Sequence, residues 1–306
     1  MEASSRWYEA YEESTDWLTH QTVTLFHPQL VHISPRPTET WPLVPLRHAF
    51  LIALAYIAWA VFGVLLKVSR RRHGDKGAGE SEEKDGEYAA TGGDGLGRKF
   101  AREPLLLLQA VYDVVQVGLC SVMLFQTIDV CWREGYKFYQ NPFRTHGAGL
   151  APVLWLFYVS KVVDFFDTVF IVVRGKWRQL SFIHVYHHLM TFVVYWISVQ
   201  TAYDSDIYLT IAANSFVHVV MYFYYLMRTL DVPVPRVIKK NITNLQILQF
   251  IMMEVQGFSM LVFGTPFPIR VCLLYCSYVG TLLVLFVDFA VRTYGPRKPK
   301  KIDKAE

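Results

Sequence analysis

Three histidines, His184, His187 and His188, stand close together in a segment that is otherwise apolar enough to lie in a membrane. In a helix, residues three and four apart lie one above the other, so His184 shares a face with both of its partners. Ionisable side chains in hydrocarbon are costly and are generally kept for function. Clustered imidazoles offer two kinds of chemistry there. They can ligate a metal ion, or a neutral ring with a free lone pair can act as nucleophile, base or acid.

Three further polar clusters share this helical spacing. Lys161, Asp164, Asp167 and Thr168 lie in the stretch KVVDFFDT. An ion pair between Lys161 and Asp164, three apart, would offset part of their burial cost and would serve packing as well as chemistry. Asn214, His218, Met221, Tyr222 and Tyr225 fall in NSFVHVVMYFYY. Aromatic residues at such spacing suit packing, so His218 with Asn214 carries more of the chemical interest. Thr243, Gln246 and Gln249 lie in TNLQILQF, with Glu254 deeper in the same segment. Glutamines in spans also serve as hydrogen-bond glue between helices.

The HxxHH pattern resembles one histidine box of the membrane di-iron desaturases and hydroxylases. A centre of that type draws on several boxes. Only four of the ten histidines belong to the polar clusters, and His20, His27, His32, His48, His73 and His146 form no second box. A single zinc or mononuclear iron, as in a metal-dependent membrane oxidoreductase, stays geometrically open, but no metal or other cofactor is expected. The alternative is acyl transfer through an acyl-imidazole, which splits one difficult step into two easier ones. Ser215, three before His218, is the hydroxyl rival, and it is expected to back-bond to its own helix.

Stepping along the chain, the elements that must hold these residues are membrane helices. The 306 residues are 53% hydrophobic with mean hydropathy +0.23, unusually apolar for a soluble chain. Apolar runs near 48–68, 105–127, 150–173, 182–201, 206–227, 245–265 and 269–291 are each long enough to span. The polar start is unlike a signal peptide, so the first span is expected to act as an uncleaved targeting signal. With the N-terminus outside, 22 of the 30 Lys and Arg fall on the cytosolic side, the arrangement favoured in membrane insertion. The net charge of +4 therefore reports orientation, not nucleic-acid binding. The glycine-rich, charged stretch 73–99 reads as a disordered cytosolic loop. Four cysteines are too few for a disulfide framework. A bridge between Cys131 and Cys272 stays open, with Cys276 as a competing partner.

KVVDFFDT, HVYHH, NSFVHVVMYFYY and TNLQILQF, in this order, closely resemble the signature motifs of the ELO family of very-long-chain fatty acid elongases, the 3-ketoacyl-CoA synthases of the endoplasmic reticulum. The resemblance covers roughly 105–295. One departure is Asp164, where the family usually has Glu. The resemblance implies an all-α multi-pass protein with seven transmembrane helices, six in a barrel around an acyl-chain tunnel and the first peripheral. The implied division is a lumenal segment over 1–47, a peripheral helix over 48–68 and a cytosolic loop over 69–103. A catalytic domain over 104–293 and a basic cytosolic tail over 294–306 complete it.

The implied activity is decarboxylative condensation of malonyl-CoA with a long-chain acyl-CoA. His187 would attack the thioester, and His218 would assist proton transfer or hold the enolate. His184 and His188 would orient or polarise, Asn214 and Gln249 would support them, and Asp164 and Asp167 would be available as carboxylates. Lys161, Arg178, Lys239 and Lys240 would hold the CoA phosphates near the cytosolic mouth. Tyr186, Met221, Tyr222, Tyr225 and Gln246 complete the implied substrate-binding set. Gln179, five before His184, and Tyr186 inside the box resemble the polyunsaturated-acyl elongases. Partners implied are membrane lipid, the reductases and dehydratase of the elongation cycle, and a second copy of the chain as a homo-oligomer.

Overall fold

Apolar residues at helical spacing, with proline at several starts and glycine at several stops, form eight α-helices among the residues that the computed structural model describes, which are 2–33, 35–72, 103–146 and 149–295. They are α1 (Glu2–Phe26), α2 (Leu46–Arg72), α3 (Pro104–Glu134), α4 (Ala151–Val173), α5 (Phe182–Thr201), α6 (Tyr208–Thr229), α7 (Arg236–Phe263) and α8 (Ile269–Tyr294). Short 3-10 turns cover Pro28–His32 and Ser205–Ile207, and the described residues contain no strand.

Six helices, α2, α3, α5, α6, α7 and α8, are long and apolar enough to cross a membrane, which fits a multi-pass membrane protein. The seventh expected span, α4, has 23 residues but carries Lys161, Asp164 and Asp167 close together. Leucine, valine and phenylalanine side chains stand exposed along α2, α3, α7 and α8, as a lipid-facing surface requires.

Helices α3, α4, α5, α8, α7 and α6 contact one another in that order, and α6 closes the ring against α3. Helix α2 packs outside it, against α4 and α5. Helix α1 contacts α2, α5 and α8. The segment 1–47 contains a 25-residue helix, and α2 continues to Arg72. Residues 73–102 and 296–306, which include most of the loop expected over 69–103 and the basic tail, lie outside the described residues.

One end of the ring gathers the C-termini of α2, α4, α6 and α8. Lys67 donates to the Leu180 carbonyl at 3.0 Å, Arg174 bonds Gln109, Thr229 donates to Asp113 at 3.1 Å, and Thr243 meets Tyr294. Arg178, Lys239 and Lys240 are exposed at the same end.

The opposite end is knotted by two buried carboxylates. Asp204 accepts from Tyr136 Oη, Arg144 N, Arg144 Nε and Leu150 N at 2.9–3.2 Å. Gly149 has φ +39°, and a Cβ there would lie 2.8 Å from Asp204 Oδ1, so only glycine fits. Asp206 accepts from Gln140 N, Asn141 N, Asn141 Nδ2 and Thr265 Oγ1 at 2.6–3.1 Å. Burial lowers the His27 pKa, and the neutral ring donates from Nδ1 to the Thr201 carbonyl at 2.6 Å.

Asp206→Ala would strand several buried donors at once. It should cost about 3 kcal/mol or more, read as a lower thermal midpoint of the purified protein in detergent. An unchanged midpoint would show that this carboxylate does not hold the end together.

All four cysteines lie among the described residues and are free, so the bridge between Cys131 and Cys272 is not formed. Cys272 Sγ sits instead 3.6 Å from the Gly257 carbonyl.

Candidate active site

The start of α5 places the histidines. After a tight turn that needs Gly175 at φ +66°, Ser181 is extended and its Oγ accepts from His184 N at 3.3 Å. This N-cap satisfies one donor of the helix start and fixes where the first turn begins. The rings of His184 and His188 then lie 4.3 Å apart, and those of His187 and His188 5.6 Å apart. His184 Nε2 is 2.9 Å from Thr168 Oγ1 of α4, a hydroxyl that Tyr56 of α2 also approaches at 3.3 Å. His188 Nε2 is 4.0 Å from Asp167 Oδ2.

Thr191 sits beneath His187. Its Oγ1 donates to the His187 carbonyl at 2.5 Å and lies 2.5 Å from Tyr278 Oη of α8. A hydroxyl has one hydrogen, so with that hydrogen given to the carbonyl Tyr278 is the donor of the second contact. The same oxygen is 3.5 Å from His187 Nδ1, which places a polar group beside one ring nitrogen and leaves Nε2 on the other side of the ring.

Helices α3, α4 and α6 supply the wall beside these rings. Lys161 Nζ lies 2.9 Å from Asp164 Oδ2 and 3.4 Å from Asn214 Oδ1, and it stands 4.4 Å above the Phe157 ring. Gln116 Nε2 of α3 donates to Asp164 Oδ1 at 2.7 Å. Tyr222 Oη donates to Asp167 Oδ2 at 2.8 Å and accepts from Gln116 at 3.1 Å. His218 is buried and its Nδ1 has no hydrogen-bond partner in the protein. Such an atom costs about 1–3 kcal/mol unless a bound group satisfies it. His187 and His218 are close enough to interact electrostatically with each other and with Lys161 and Asp164.

The sequence-selected residues thus divide into two groups. His184, His187, His188, Lys161, Asp164, Asp167, Asn214, His218 and Tyr222 come together. Tyr225 packs edge-on against Tyr222 and is exposed. Met221 meets Gln246 across α6 and α7, and Gln249 turns to Met253 of its own helix. Tyr186 faces α8, with its hydroxyl 2.7 Å from Thr281 Oγ1. Gln179, Arg178, Lys239 and Lys240 are exposed on the basic end of the ring.

Two expectations are corrected. Lys161 is only 4% exposed and is tied to Asp164 and Asn214, so it does not reach phosphates at the mouth. The Ser215 hydroxyl is buried without a partner and makes no back-bond to α6. Gln116, Thr191, Tyr278 and Tyr56 were missed, as was Tyr112 of α3, whose hydroxyl accepts from Gln116 Nε2 at 3.0 Å. Gln116 had a signal in the sequence, because Asp113 and Gln116 are polar residues three apart inside an apolar run. Tyr278 had none, since an aromatic residue in a span ordinarily packs.

Among the described residues, no three His, Cys, Asp or Glu side chains converge closely enough to hold a metal ion. A ring of membrane-type helices around clustered imidazoles can be compared with known proteins. Residues 41–302 match the family described as "ELO: GNS1/SUR4 family". The chain is 32% identical over 215 residues to very long chain fatty acid elongase 2 of Rattus norvegicus, covering 67% of this chain and 77% of that protein. Elongase 4 of Macaca mulatta is 35% identical over 218 residues, 67% of this chain and 69% of its own. Elongase 5 of Tachysurus fulvidraco is 32% identical over 190 residues, 60% of this chain and 64% of its own. With most of its length matched and every histidine of the cluster inside the match, the chain belongs to the ELO family.

Proposed function

We propose that this protein is the condensing enzyme of fatty acid elongation in the endoplasmic reticulum membrane. It joins malonyl-CoA to a long-chain, polyunsaturated acyl-CoA and releases a 3-ketoacyl-CoA two carbons longer. The observation that carries this proposal is the placement of His187, buried beside the Thr191–Tyr278 contact, near His218, whose buried Nδ1 has no partner in the protein.

In the first step, His187 Nε2 attacks the thioester carbonyl. The C–S bond breaks, the Nδ1 proton is lost, and CoA leaves as the thiol. In the second step, malonyl-CoA loses CO2, and the electron pair of the broken C–C bond becomes an enolate. The enolate carbon attacks the acyl-imidazole, the C–N bond breaks, and His187 is regenerated when a proton returns to it. His218 Nδ1 meets the substrate oxygen on which charge develops, as a hydrogen-bond donor placed in advance. Lys161 positions Asn214 and adds positive potential beside both rings. Asp164 acts through Lys161 by holding its ammonium, not as a free base.

The same proposal takes α4 as a seventh span, its charges facing the interior of the ring. It places the N-terminus in the lumen and the basic end in the cytosol, where CoA esters arrive. Arg178, Lys239 and Lys240 are there to meet the nucleotide phosphates. The product is a β-keto thioester, so two reductions and a dehydration must follow to restore a saturated link.

Purified protein given malonyl-CoA and a polyunsaturated acyl-CoA should release CO2 and yield the 3-ketoacyl-CoA in equal amounts, by mass spectrometry. The rate should exceed that with a saturated chain of equal length several-fold. No condensation with any acyl-CoA would sink the activity, and a faster saturated chain would sink the substrate class.

A further inference from the structure

The match to the family begins at residue 41, so α1 lies outside what the family accounts for. Its residues sort into three faces. Glu12, Thr15, Thr19, Val23 and Phe26, at spacings of three and four, form the face that meets the rest of the protein. Thr15 and Val23 are buried, and Glu12 pairs with Arg47 at 3.2 Å. Glu9, Glu13, Asp16 and His20 form a second, polar and exposed face, with Asp16 4.0 Å from Arg47 at its edge. Trp7, Leu18 and Leu25 repeat at whole numbers of helical turns and form a third, while Trp17, four after Glu13, lies between this face and the polar one. Trp7, Leu18 and Leu25 are 79%, 46% and 56% exposed.

An apolar line that begins with a tryptophan and is left uncovered needs an occupant. Its position indicates which. Tyr11 Oη donates to the Arg47 carbonyl at the start of α2, and Arg270 at the start of α8 donates to the Leu25 carbonyl at 2.7 Å. Helix α1 therefore runs across the carboxylate-knotted end, from one span to another. At those starts Phe50, Leu51 and Leu54 of α2 and Ile269 and Leu273 of α8 are exposed apolar residues of the lipid-facing surface. The Leu25 end of the third face is anchored to the start of α8, at the depth where a span begins, and tryptophan is the residue suited to that boundary.

We propose that α1 is an interfacial membrane helix. Its Trp7, Leu18 and Leu25 face is embedded at the boundary of headgroups and acyl chains, and its Glu9, Glu13, Asp16 and His20 face is turned to water. The helix carries five acidic residues and one arginine, so apolar burial drives the contact, not attraction to anionic lipid.

Full-length protein in phosphatidylcholine nanodiscs, with p-benzoyl-phenylalanine at position 7, 18 or 13, tests this directly. On irradiation, lipid adducts measured by intact mass should form at positions 7 and 18 several-fold more than at 13. Adding phosphatidylserine should not raise their yield. Positions 7 and 18 are exposed in the fold, so the probe does not disturb packing, and position 13, on the polar face, controls for labelling of the helix as a whole. Three outcomes would overturn the proposal: protein–protein cross-links as the main product, equal lipid labelling at 13 and 18, or no lipid adduct at any site.

Discussion

Replacing His187 with alanine should lower elongation by more than roughly 10³-fold, because the acyl-imidazole route loses its nucleophile. Wild-type protein incubated with acyl-CoA alone should gain the mass of one acyl group, and His187→Ala should not. His218→Ala separates the two half-reactions. It should still take up the acyl group, because His187 Nε2 and the Thr191–Tyr278 contact remain. It should then fail to discharge that group on malonyl-CoA. Thr191→Val keeps the ring but removes the hydroxyl beside its Nδ1, and a loss of tens-fold is expected, with the adduct forming more slowly. Normal turnover by His187→Ala, or turnover with no adduct under trapping conditions, would instead favour one-step condensation of two bound thioesters.

The second large effect concerns the ion pair inside α4. Lys161 and Asp164 are both nearly excluded from solvent, and each is the other's main partner. Removing one leaves an uncompensated buried charge, which typically costs about 3–5 kcal/mol. Asp164→Ala should therefore unfold at markedly lower temperature, and Lys161→Ala likewise. Replacing both, as Lys161→Met with Asp164→Leu, should recover most of the lost stability, since matched apolar side chains replace buried pairs at little net cost. Activity should not return with it, because Asn214 and Gln116 would have lost their charged partners. A double variant as active as the wild type would reduce the pair to packing. Asp164→Glu, which restores the carboxylate usual in the family, should keep both stability and activity if the side chain acts only by holding Lys161.

Much of this site was legible before any fold was known, and particular residues show why. The histidines of α5 sit three and one apart, so helical geometry alone puts their rings together. Lys161 and Asp164 are three apart, and one helix suffices to pair them. His218 and Asn214 could be selected because a polar residue in an apolar run is conspicuous. Gln116 could have been found in the same way. Helix α1 escaped because its apolar residues are diluted by acidic ones and never form a run.

By itself, then, the sequence determined what depends on near neighbours: which segments are apolar enough for a membrane, where helices stop, and which side chains share a face. Contacts between elements could not be read from it, because a helix of known face can still rotate and pair with several others. Only the folded ring decided that Gln116 of α3 reaches Asp164 and that Tyr278 of α8 closes on Thr191. The fold also removed Lys161 from the mouth. Its charge, which spacing alone allowed to face phosphate or carboxylate, is held inside because burial leaves a lysine stable only beside a partner.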